Sequence, residues 1–242
     1  MGKLTGKVAI VTGGGTGIGK GIARGLATEG AKTVIAGRRI KELNKTAEEM
    51  NALGCTVVPF RADVREEDQV SALFAYTMDL FNRLDILVNN AGVFDNAPLD
   101  EFSVEAWDRV ISTNLRGPFL CTRAAFKIMK KQGGGRILNI GSISGQRPRL
   151  NSAAYTTSKF GIWGLTNVTA LEGREYGISA SCLHPGNTRV KRSENTLMGP
   201  TEPMMEVDDL TEVAVLMACL PPHVNMLEAI VLPVKQAYLG RG

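Results

Sequence analysis

The sequence predicts an α/β protein with a doubly wound parallel sheet of about seven strands in a single domain over residues 1–242. Seven short apolar runs recur along the chain, and they are continuous rather than alternating in polarity, which is typical of strands buried on both faces. Segments with helical periodicity separate these runs. A regular alternation of strand and helix implies parallel strands joined by right-handed crossovers. No Pro- or Ser-rich linker and no repeat divides the chain, so we expect one domain.

The first predicted strand, Val8–Val11, leads into a glycine-rich loop and then a helix. That helix has Ile18, Ile22 and Leu26 at intervals of four residues, and Gly30 supplies a stop signal. The further strands are predicted at Thr33–Ala36, Val57–Phe60, Ile86–Val88, Ile137–Ile140, Ile178–Leu183 and Ala229–Leu232. The further helices are predicted at Lys41–Leu53, Glu66–Phe81, Val104–Lys131, Ala153–Tyr176 and Val207–Leu220.

One predicted connection is long for a simple turn. The stretch Asn187–Glu206, between the sixth strand and the last helix, is polar, contains two prolines and has no clear period. Loops of this length are often lids or binding segments. We therefore expect a substrate lid at about 187–206, with Met198, Met204 and Met205 as an adaptable apolar cover.

The composition argues against several functional classes. The net charge is +4 and no basic run exceeds three residues, so a nucleic-acid partner is not expected. Four widely spaced cysteines and two histidines suggest neither a disulfide framework nor a zinc site. The N-terminus has no apolar signal core, and no apolar run approaches the roughly 18 residues of a membrane helix, so we expect a cytoplasmic protein without membrane association.

The loop after the first strand, VTGGGTGIGKG at Val11–Gly21, indicates a phosphate site. It nearly fits the nucleoside triphosphate pattern G-x-x-x-x-G-K-[ST], but Gly21 has no hydroxyl for Mg²⁺. The dinucleotide pattern G-x-G-x-x-G is not matched either, because Ile18 stands where the third glycine is needed. Strand, glycine turn and helix N-terminus together favour a bound phosphate, but these residues alone leave the ligand open.

Further along the chain, the sequence resembles the short-chain dehydrogenase/reductase family. Thr12, Gly13, Gly17 and Gly19 match the T-G-x3-G-x-G loop of that family. Other family motifs follow in order: Asp63-Val64, Asn89-Asn90-Ala91-Gly92, Asn114, Ser142, Tyr155-x3-Lys159 and Pro185-Gly186. The resemblance covers nearly all of the chain. It implies a Rossmann-fold oxidoreductase that interconverts a carbonyl compound, ketone or aldehyde, and a secondary alcohol with a nicotinamide dinucleotide.

The resemblance also implies which residues bind the cofactor. The glycine loop would approach the pyrophosphate, Asp63 and Val64 would flank the adenine, and Thr188 would bond the nicotinamide carboxamide. Taken without the family, Asp63 could equally be a helix-capping acid and Asn89-Asn90 a strand-end turn. The implied cofactor-binding residues are Gly13, Gly15, Thr16, Gly17, Ile18, Gly19, Arg38, Arg39, Asp63, Val64, Asn90, Ala91, Gly92, Tyr155, Lys159, Pro185, Gly186 and Thr188.

The end of the second strand favours NADP(H) over NAD. An acid about 20 residues beyond the glycines binds the ribose of NAD, whereas an Arg there accommodates the 2′-phosphate of NADP. This chain has Ala36-Gly37-Arg38-Arg39 at that point and no acid, and Arg38 can pair with a phosphate in bidentate fashion. NADP-using relatives often have a second basic residue in the glycine loop, where this chain has Thr16, so NAD stays possible.

Tyr155 and Lys159 are the predicted centre of the chemistry. Four residues apart on a helix, they lie one turn along the same face. A tyrosine hydroxyl normally has a pKa of about 10, and a cation about 4 Å away at an effective dielectric near 20 offers roughly 4 kcal/mol toward the phenolate. In the family such a tyrosine exchanges a proton with the substrate oxygen. The resemblance assigns Ser142 to the same oxygen, Lys159 also to the nicotinamide ribose, and Asn114 to a water-mediated proton relay.

Three other functions compete with this one. A hydrolase is disfavoured because G-x-S-x-G needs serine at position 143, where Ile143 stands. A phosphate-transfer enzyme is disfavoured by Gly21. A sensor that binds NADP without turnover is the main alternative, and the complete set of Ser142, Tyr155 and Lys159 speaks against it.

Substrate and assembly are predicted only broadly. Residues Ser144–Leu150, Phe94–Asp95 and the lid are the candidates for the substrate pocket. A medium-sized ketone or secondary alcohol is the expected small-molecule partner, and Arg147 with Arg149 could meet an anionic group. Pairing of the two longest predicted helices with their copies in relatives implies a homodimer or homotetramer.

Overall fold

The computed structural model of the chain describes residues 2–190 and 202–238. Within these residues seven parallel strands form one sheet in the order β3-β2-β1-β4-β5-β6-β7. The strands are β1 Val8–Thr12, β2 Lys32–Gly37, β3 Val57–Arg61, β4 Ile86–Asn89, β5 Gly135–Ile140, β6 Ile178–Pro185 and β7 Glu228–Val231. The predicted doubly wound parallel sheet of seven strands is confirmed.

Helices connect the strands and cover both faces of the sheet. They are α1 Gly17–Thr28, α2 Ile40–Asn51, α3 Glu67–Phe81, α4 Val104–Ile111, α5 Gly117–Gln132, α6 Ala153–Gly173 and α7 Val207–Cys219. Alternate residues of each inner strand face two hydrophobic cores. In β1, Ala9 and Val11 pack in the core beneath α1, α2 and α7, whereas Ile10 packs in the core beneath α3 and α5. Burial on both faces explains why the inner strands read as continuous apolar runs.

The expectation of burial on both faces is wrong for the last strand. Every residue of β1 and β4 is buried, but β7 pairs with β6 at the edge of the sheet and its Ile230 is 41 % exposed. An edge strand has a neighbour on one side only, so its outer residues lack the cover that inner strands have.

The helix predicted over Val104–Lys131 is interrupted. α4 and α5 are joined by a π-helical stretch, Ser112–Arg116, and Pro118 stands at the start of α5. Proline has no backbone N–H and is favoured in a first helical turn. A π-helical turn widens the helix and often marks a functional position, and here it contains Asn114.

Four of the predicted functional segments lie on the side of the sheet where the strands end. The loops after β1, β4, β5 and β6 leave the carboxyl ends of parallel strands, which all point to the same side. After β3 the chain crosses to β4 on the other side of β1, so a crevice opens between the loops of β1 and β4. Ligands of open α/β sheets bind at such a switch point. Among the described helices, none is both long and apolar enough to cross a membrane.

Candidate active site

Hydrogen bonds hold the glycine loop after β1 against the loop after β4. The Thr12 hydroxyl accepts hydrogen bonds from the backbone N–H groups of Asn90 and Ala91, at 3.0 and 3.1 Å. In return the Asn90 amide donates to the carbonyl oxygens of Thr12 and Gly13, at 2.9 and 3.3 Å. A Cβ at Gly19 would lie 2.3 Å from Asn90 Nδ2, so only glycine permits this approach. Asn90 therefore shapes the loop with its side chain.

The N-terminus of α1 faces the crevice without a side-chain cap. Thr16 stands at the N-cap position, but among the described residues its hydroxyl makes no hydrogen bond to the helix backbone, and the first turn contains no acid. Uncapped N–H groups and the helix dipole favour an anion at this end. Gly17, with φ of +55°, adopts a left-handed conformation that glycine tolerates best.

Gly21, the position that breaks the triphosphate pattern, has a packing role. A Cβ there would lie 2.3 Å from Val207 Cγ1 and 2.7 Å from Thr211 Oγ1, both on α7. The α1–α7 contact thus requires a glycine where a phosphate-transfer enzyme needs serine or threonine. This agrees with the prediction that disfavoured a phosphate-transfer enzyme.

A cavity of about 1050 Å³ opens between the loops of β1, β2, β3 and β4. The predicted cofactor residues that line it are Gly13, Gly15, Thr16, Gly17, Ile18, Gly19, Arg38, Arg39, Asp63, Val64, Asn90, Ala91 and Gly92. Tyr155, Lys159, Pro185, Gly186 and Thr188, also in the predicted set, lie outside its wall. The residues predicted to bind the adenosine and the pyrophosphate therefore line one cavity. Val93 and Thr113, which adjoin Asn114, also line it.

Three charged residues line the cavity near the ends of β2 and β3, and each has different partners. Arg39 reaches across to the glycine loop, where its Nη2 donates to Thr16 Oγ1 at 3.1 Å. Arg38 is exposed at the cavity wall. Asp63 forms an ion pair with Arg65 at 2.6 Å. Burial pulls the pKa of Asp63 upward, but the hydrogen bonds and charge of Arg65 outweigh it and lower the pKa. Asp63 is thus a paired carboxylate, not the cap of α3, whose N-cap is Glu66.

Tyr155 and Lys159 lie close together on α6, as the four-residue spacing predicts. Lys159 is 7 % exposed; its Nζ donates to the carbonyl oxygen of Ile140 at 2.8 Å and lies 5.5 Å from the centre of the Tyr155 ring. The Phe94 ring packs edge-on against Tyr155 with centroids 5.0 Å apart. The end of β5 therefore holds the ammonium group, and the loop after β4 covers the phenol.

Ser142 follows β5 in a short turn against α6. It is buried, its backbone is extended, and its Oγ accepts a hydrogen bond from the Ser144 N–H at 3.1 Å. Ser152 precedes α6 but makes no side-chain hydrogen bond to the helix backbone, and its hydroxyl donates to the Arg149 carbonyl at 2.7 Å. The loop 149–152 is stabilised instead of the helix end.

Asn114 connects the loop after β4 to the helix that contains Tyr155. Its Oδ1 accepts from the Val93 N–H and its Nδ2 donates to the Val93 carbonyl, both at 2.8 Å. Nδ2 also contacts Ser158 Oγ at 3.2 Å, and that hydroxyl donates to the Tyr155 carbonyl at 2.7 Å. The π-helical turn thus places one buried amide between two parts of the site.

Comparison with known proteins decides the family. The model of the short chain dehydrogenase family matches residues 7–198. The chain belongs to this family. Members of the short-chain dehydrogenase family use NAD or NADP in oxidoreductase reactions.

Relatives of similar length support the assignment to the short-chain dehydrogenases. An uncharacterized oxidoreductase of Staphylococcus haemolyticus is 32 % identical over 97 % of this chain and all of its own length. A metagenomic short-chain oxidoreductase solved in complex with NADP has a TM-score of 0.85 at 33 % identity, covering 97 % of this chain and 100 % of that one. A candidate gluconate dehydrogenase from Agrobacterium tumefaciens has a TM-score of 0.89 at 33 % identity, covering 94 % and 95 %. The chain is thus an oxidoreductase of the short-chain dehydrogenase type.

The two ends of the predicted lid, just after β6 and just before α7, are joined by backbone hydrogen bonds. Asn187 and Arg189 exchange backbone hydrogen bonds with Met205, at 2.9 and 2.8 Å. The Thr188 hydroxyl donates to the Gly186 carbonyl at 3.1 Å. The middle of the lid, including Met198, lies outside the described residues. Within the described part, residues 187–190 and 202–206 form a stem at the rim of the cavity.

Several cavity residues of this short-chain dehydrogenase were not predicted. Arg189 and Val190 line the cavity from the lid stem, and a Cβ at Gly17 would lie 3.2 Å from Val190 Cγ1. Lys45 and Thr46 line it from α2. Arg189 and Val190 lie within the predicted lid, three and four residues after Gly186, but were not assigned to the cofactor site; Lys45 and Thr46 carry no signal of this kind.

Proposed function

We propose that this short-chain dehydrogenase is an NADP(H)-preferring enzyme that interconverts a ketone or aldehyde and a secondary alcohol, with Tyr155 as the acid and base. The observation that carries the proposal is the buried Lys159 ammonium group 5.5 Å from the centre of the Tyr155 ring. A buried cation beside a phenol stabilises negative charge that develops on the phenol oxygen, which suits the phenol to exchange a proton with a substrate oxygen.

The crevice at the β1–β4 switch point fits a dinucleotide. The uncapped N-terminus of α1 and the left-handed Gly13 and Gly17 leave room and N–H groups for a pyrophosphate. The cavity volume of about 1050 Å³ is at the upper end of ligand sites. When bound, the nicotinamide supplies or accepts the hydride. We assign the binding to the cavity residues named above, with Tyr155, Lys159, Pro185, Gly186 and Thr188 at the nicotinamide end.

The preference for NADP is supported at the end of β2. Arg38 is exposed at the cavity wall, and Arg39 already spans from β2 to the glycine loop through Thr16. Two guanidinium groups at this position suit a 2′-phosphate, which accepts bidentate charge-assisted hydrogen bonds. The metagenomic relative that was solved with NADP is consistent with this choice.

The four proposed catalytic residues have different roles. In carbonyl reduction the Tyr155 hydroxyl donates its proton to the substrate oxygen, and in alcohol oxidation the phenolate takes it back. Lys159 stabilises the phenolate by its charge. The Ser142 hydroxyl hydrogen-bonds the same substrate oxygen as charge develops there. Asn114 holds the loop after β4 against α6 and is assigned to the proton relay that recharges the site.

The substrate is proposed to bind between Phe94, the turn after Ser142 and the lid at about 187–206. Phe94 packs on Tyr155, and Met204 with Met205 stands at the base of the lid. These side chains favour an apolar carbon skeleton of medium size. We propose a ketone or secondary alcohol of that class as the substrate.

Assembly into a homodimer or homotetramer is proposed through α4, α5 and α6. These helices expose large apolar side chains to solvent: Trp107, Phe119, Phe160, Val168 and Leu171. Large apolar side chains exposed on three helices are surfaces that contact between copies of the chain would bury.

A single assay tests the function. The purified protein is given NADPH or NADH with a panel of aldehydes, ketones, quinones and acyl thioesters, and the loss of absorbance at the wavelength of the reduced nicotinamide is followed. We expect turnover of at least one medium-sized ketone, faster with NADPH than with NADH. Tight NADPH binding without turnover of any carbonyl compound would instead support the alternative, a sensor that binds NADP.

A further inference from the structure

A buried histidine stands directly behind Ser142, and the proposed mechanism does not use it. His184 lies near the end of β6 and is 0 % exposed. Its ring packs edge-on against Trp163 with centroids 5.9 Å apart. A Cβ at Gly141 would lie 2.7 Å from His184 Nδ1, so the glycine before Ser142 is what lets the ring approach.

The Nδ1 atom of His184 contacts the backbone of Ser142 twice. It lies 2.9 Å from the Ser142 carbonyl oxygen and 3.4 Å from the Ser142 nitrogen. Only the first distance falls in the ordinary range of a nitrogen–oxygen hydrogen bond. An unprotonated Nδ1 at 2.9 Å would repel the carbonyl oxygen, so the shorter contact requires a proton on Nδ1.

The other nitrogen of the ring faces a carboxylate. Nε2 lies 3.3 Å from Glu228 Oε1 on β7 and has no hydrogen-bond partner among the described residues. Glu228 Oε1 also accepts a hydrogen bond from Gln146, just beyond the turn that begins at Ser142. Gln146 thus joins Glu228 of β7 to the far end of the turn that begins at Ser142, and the His184 ring lies between Ser142 and that carboxylate.

We propose that His184 is a positioning residue for catalysis: its Nδ1–H, donated to the Ser142 carbonyl, holds the Ser142 hydroxyl in the orientation that meets the substrate oxygen. The inference rests on the proposed function of Ser142. It adds a residue of β6 to the support of the active site.

Burying the imidazole of His184 behind Ser142 costs free energy unless its ring nitrogens form hydrogen bonds. Burial of a polar ring carries a desolvation cost that an aliphatic residue would not have. Burial lowers the pKa of His184; the Ser142 contact and Glu228 favour the charged ring, and Lys159 opposes it. A neutral ring has one proton, and the nitrogen that carries it is set by the hydrogen bonds around the ring. Two acceptors compete for it, and the Ser142 carbonyl at 2.9 Å from Nδ1 is nearer than Glu228 Oε1 at 3.3 Å from Nε2, so we assign that proton to Nδ1.

The first test does not depend on activity. The chain contains two histidines, His184 and His223, so long-range proton–nitrogen NMR of the labelled protein yields two ring patterns, and a His184→Asn variant identifies the one from His184. We expect Nδ1 of His184 to be protonated at neutral pH. A neutral ring with its proton on Nε2 would overturn the proposed bond to Ser142, whatever the protein's activity.

The second test separates positioning from simple packing. Asn at position 184 keeps a donor at the δ position, whereas Leu of similar shape has none. We expect His184→Leu to lower kcat about 10- to 100-fold with the Kd for NADPH unchanged, because small misplacements of a catalytic group cost rates of this order. We expect His184→Asn to retain kcat within about threefold, and thermal unfolding to show that both variants fold.

A double-variant comparison then links the effect to Ser142. If His184 acts through Ser142, His184→Leu has no further effect on kcat in a Ser142→Ala background. Multiplying losses, or equal losses in the Asn and Leu variants, would overturn the proposal. Absence of turnover in the wild-type protein would count against the proposed function instead, and the NMR result would then decide the His184 bond by itself.

Discussion

Tyr155 and Lys159, the proposed catalytic pair, lie on one face of α6 and are held by contacts from two other segments of the chain. The Tyr155-x3-Lys159 spacing already implies two side chains on one helix face, and the structure has Lys159 buried beside the Tyr155 ring. The partners that hold them could not be predicted, because they come from distant segments: Ile140 for Lys159 and Phe94 for Tyr155. Periodicity within one helix contains no information about contacts across the sheet.

Arg38 provides the residue-level test of cofactor preference. We expect Arg38→Asp to lower kcat/KM for NADPH by about 10- to 100-fold and to affect NADH little, because a carboxylate repels the 2′-phosphate and loses a charge-assisted bond worth roughly 1.5–3 kcal/mol. Arg61→Asp is the matched control: in the sheet Arg61 is paired with Gly37, but it does not line the cavity. A preference for NADPH that survives in the Arg38→Asp variant would contradict this assignment.

At the level of elements, the contact between α1 and α7 explains why Gly21 stands where the nucleoside triphosphate pattern needs serine or threonine. We expect Gly21→Ala to lower the free energy of unfolding by about 1–3 kcal/mol, because the added methyl group meets Val207 and Thr211 at less than 3 Å. Gly164→Ala on α6 is the matched control, with nothing within 4 Å of the new Cβ. It should raise the free energy of unfolding by about 0.5–1 kcal/mol, since alanine is the better helix former. Because Gly164 lies one turn from Phe160 and Val168 of the proposed interface, both variants are unfolded at a concentration where the chain is monomeric. Urea unfolding measures both, and equal shifts would refute the packing role.

The start of β4 is tied to β1 by a buried carboxylate, and this predicts a dependence of stability on pH. Asp85 accepts hydrogen bonds from the Val8 N–H at 2.9 Å and from Arg83 at 2.6 Å. Burial pulls the pKa of Asp85 upward, but Arg83, the Val8 amide and Lys7 outweigh it and lower the pKa below its usual value. The carboxylate therefore stabilises the fold above its unfolded-state pKa near 4, and this stability is lost as pH falls through the lowered folded-state pKa.

The corresponding variant is Asp85→Asn. We expect it to lower the free energy of unfolding at pH 7 by about 1.5–3 kcal/mol, the range for hydrogen bonds to charged groups, and to lower it less at pH 3. Exposed Asp79→Asn on α3 serves as the control. A deficit in Asp85→Asn that is the same at both pH values would show that the contribution does not depend on the ionised carboxyl.

The element boundaries could be predicted where local signals are strong. The predicted β1 and α7 begin at Val8 and Val207, as the structure has them. The π-helical stretch at Ser112–Arg116 was missed, because its apolar pattern continues that of α4 and α5. Its cause is tertiary: Asn114 bonds both the N–H and the carbonyl of Val93 on another segment.

For the whole molecule, the parallel sheet follows from alternation of strand and helix, but the assembly does not. The exposed apolar residues of α4, α5 and α6 predict a homodimer or homotetramer. We expect sedimentation of the wild-type protein as one of these, and Val168→Glu to shift it toward monomer, because no cation lies one turn away on α6 and a buried charge without a partner is costly. Leu53→Glu, exposed at the end of α2, should leave the assembly unchanged. A wild-type protein that sediments as a monomer would contradict the proposed interface.

The central claim is that the Tyr155 hydroxyl exchanges the proton with the substrate oxygen, and a comparison of Tyr155→Phe with the wild-type protein tests it most directly. With the best carbonyl substrate of the panel, single-turnover oxidation of NADPH is followed, and the Kd for NADPH is measured alongside. We predict a rate about 100- to 10,000-fold lower with the Kd nearly unchanged, while Tyr76→Phe behaves as wild type. Oxidation of NADPH by Tyr155→Phe at the wild-type rate would contradict the account.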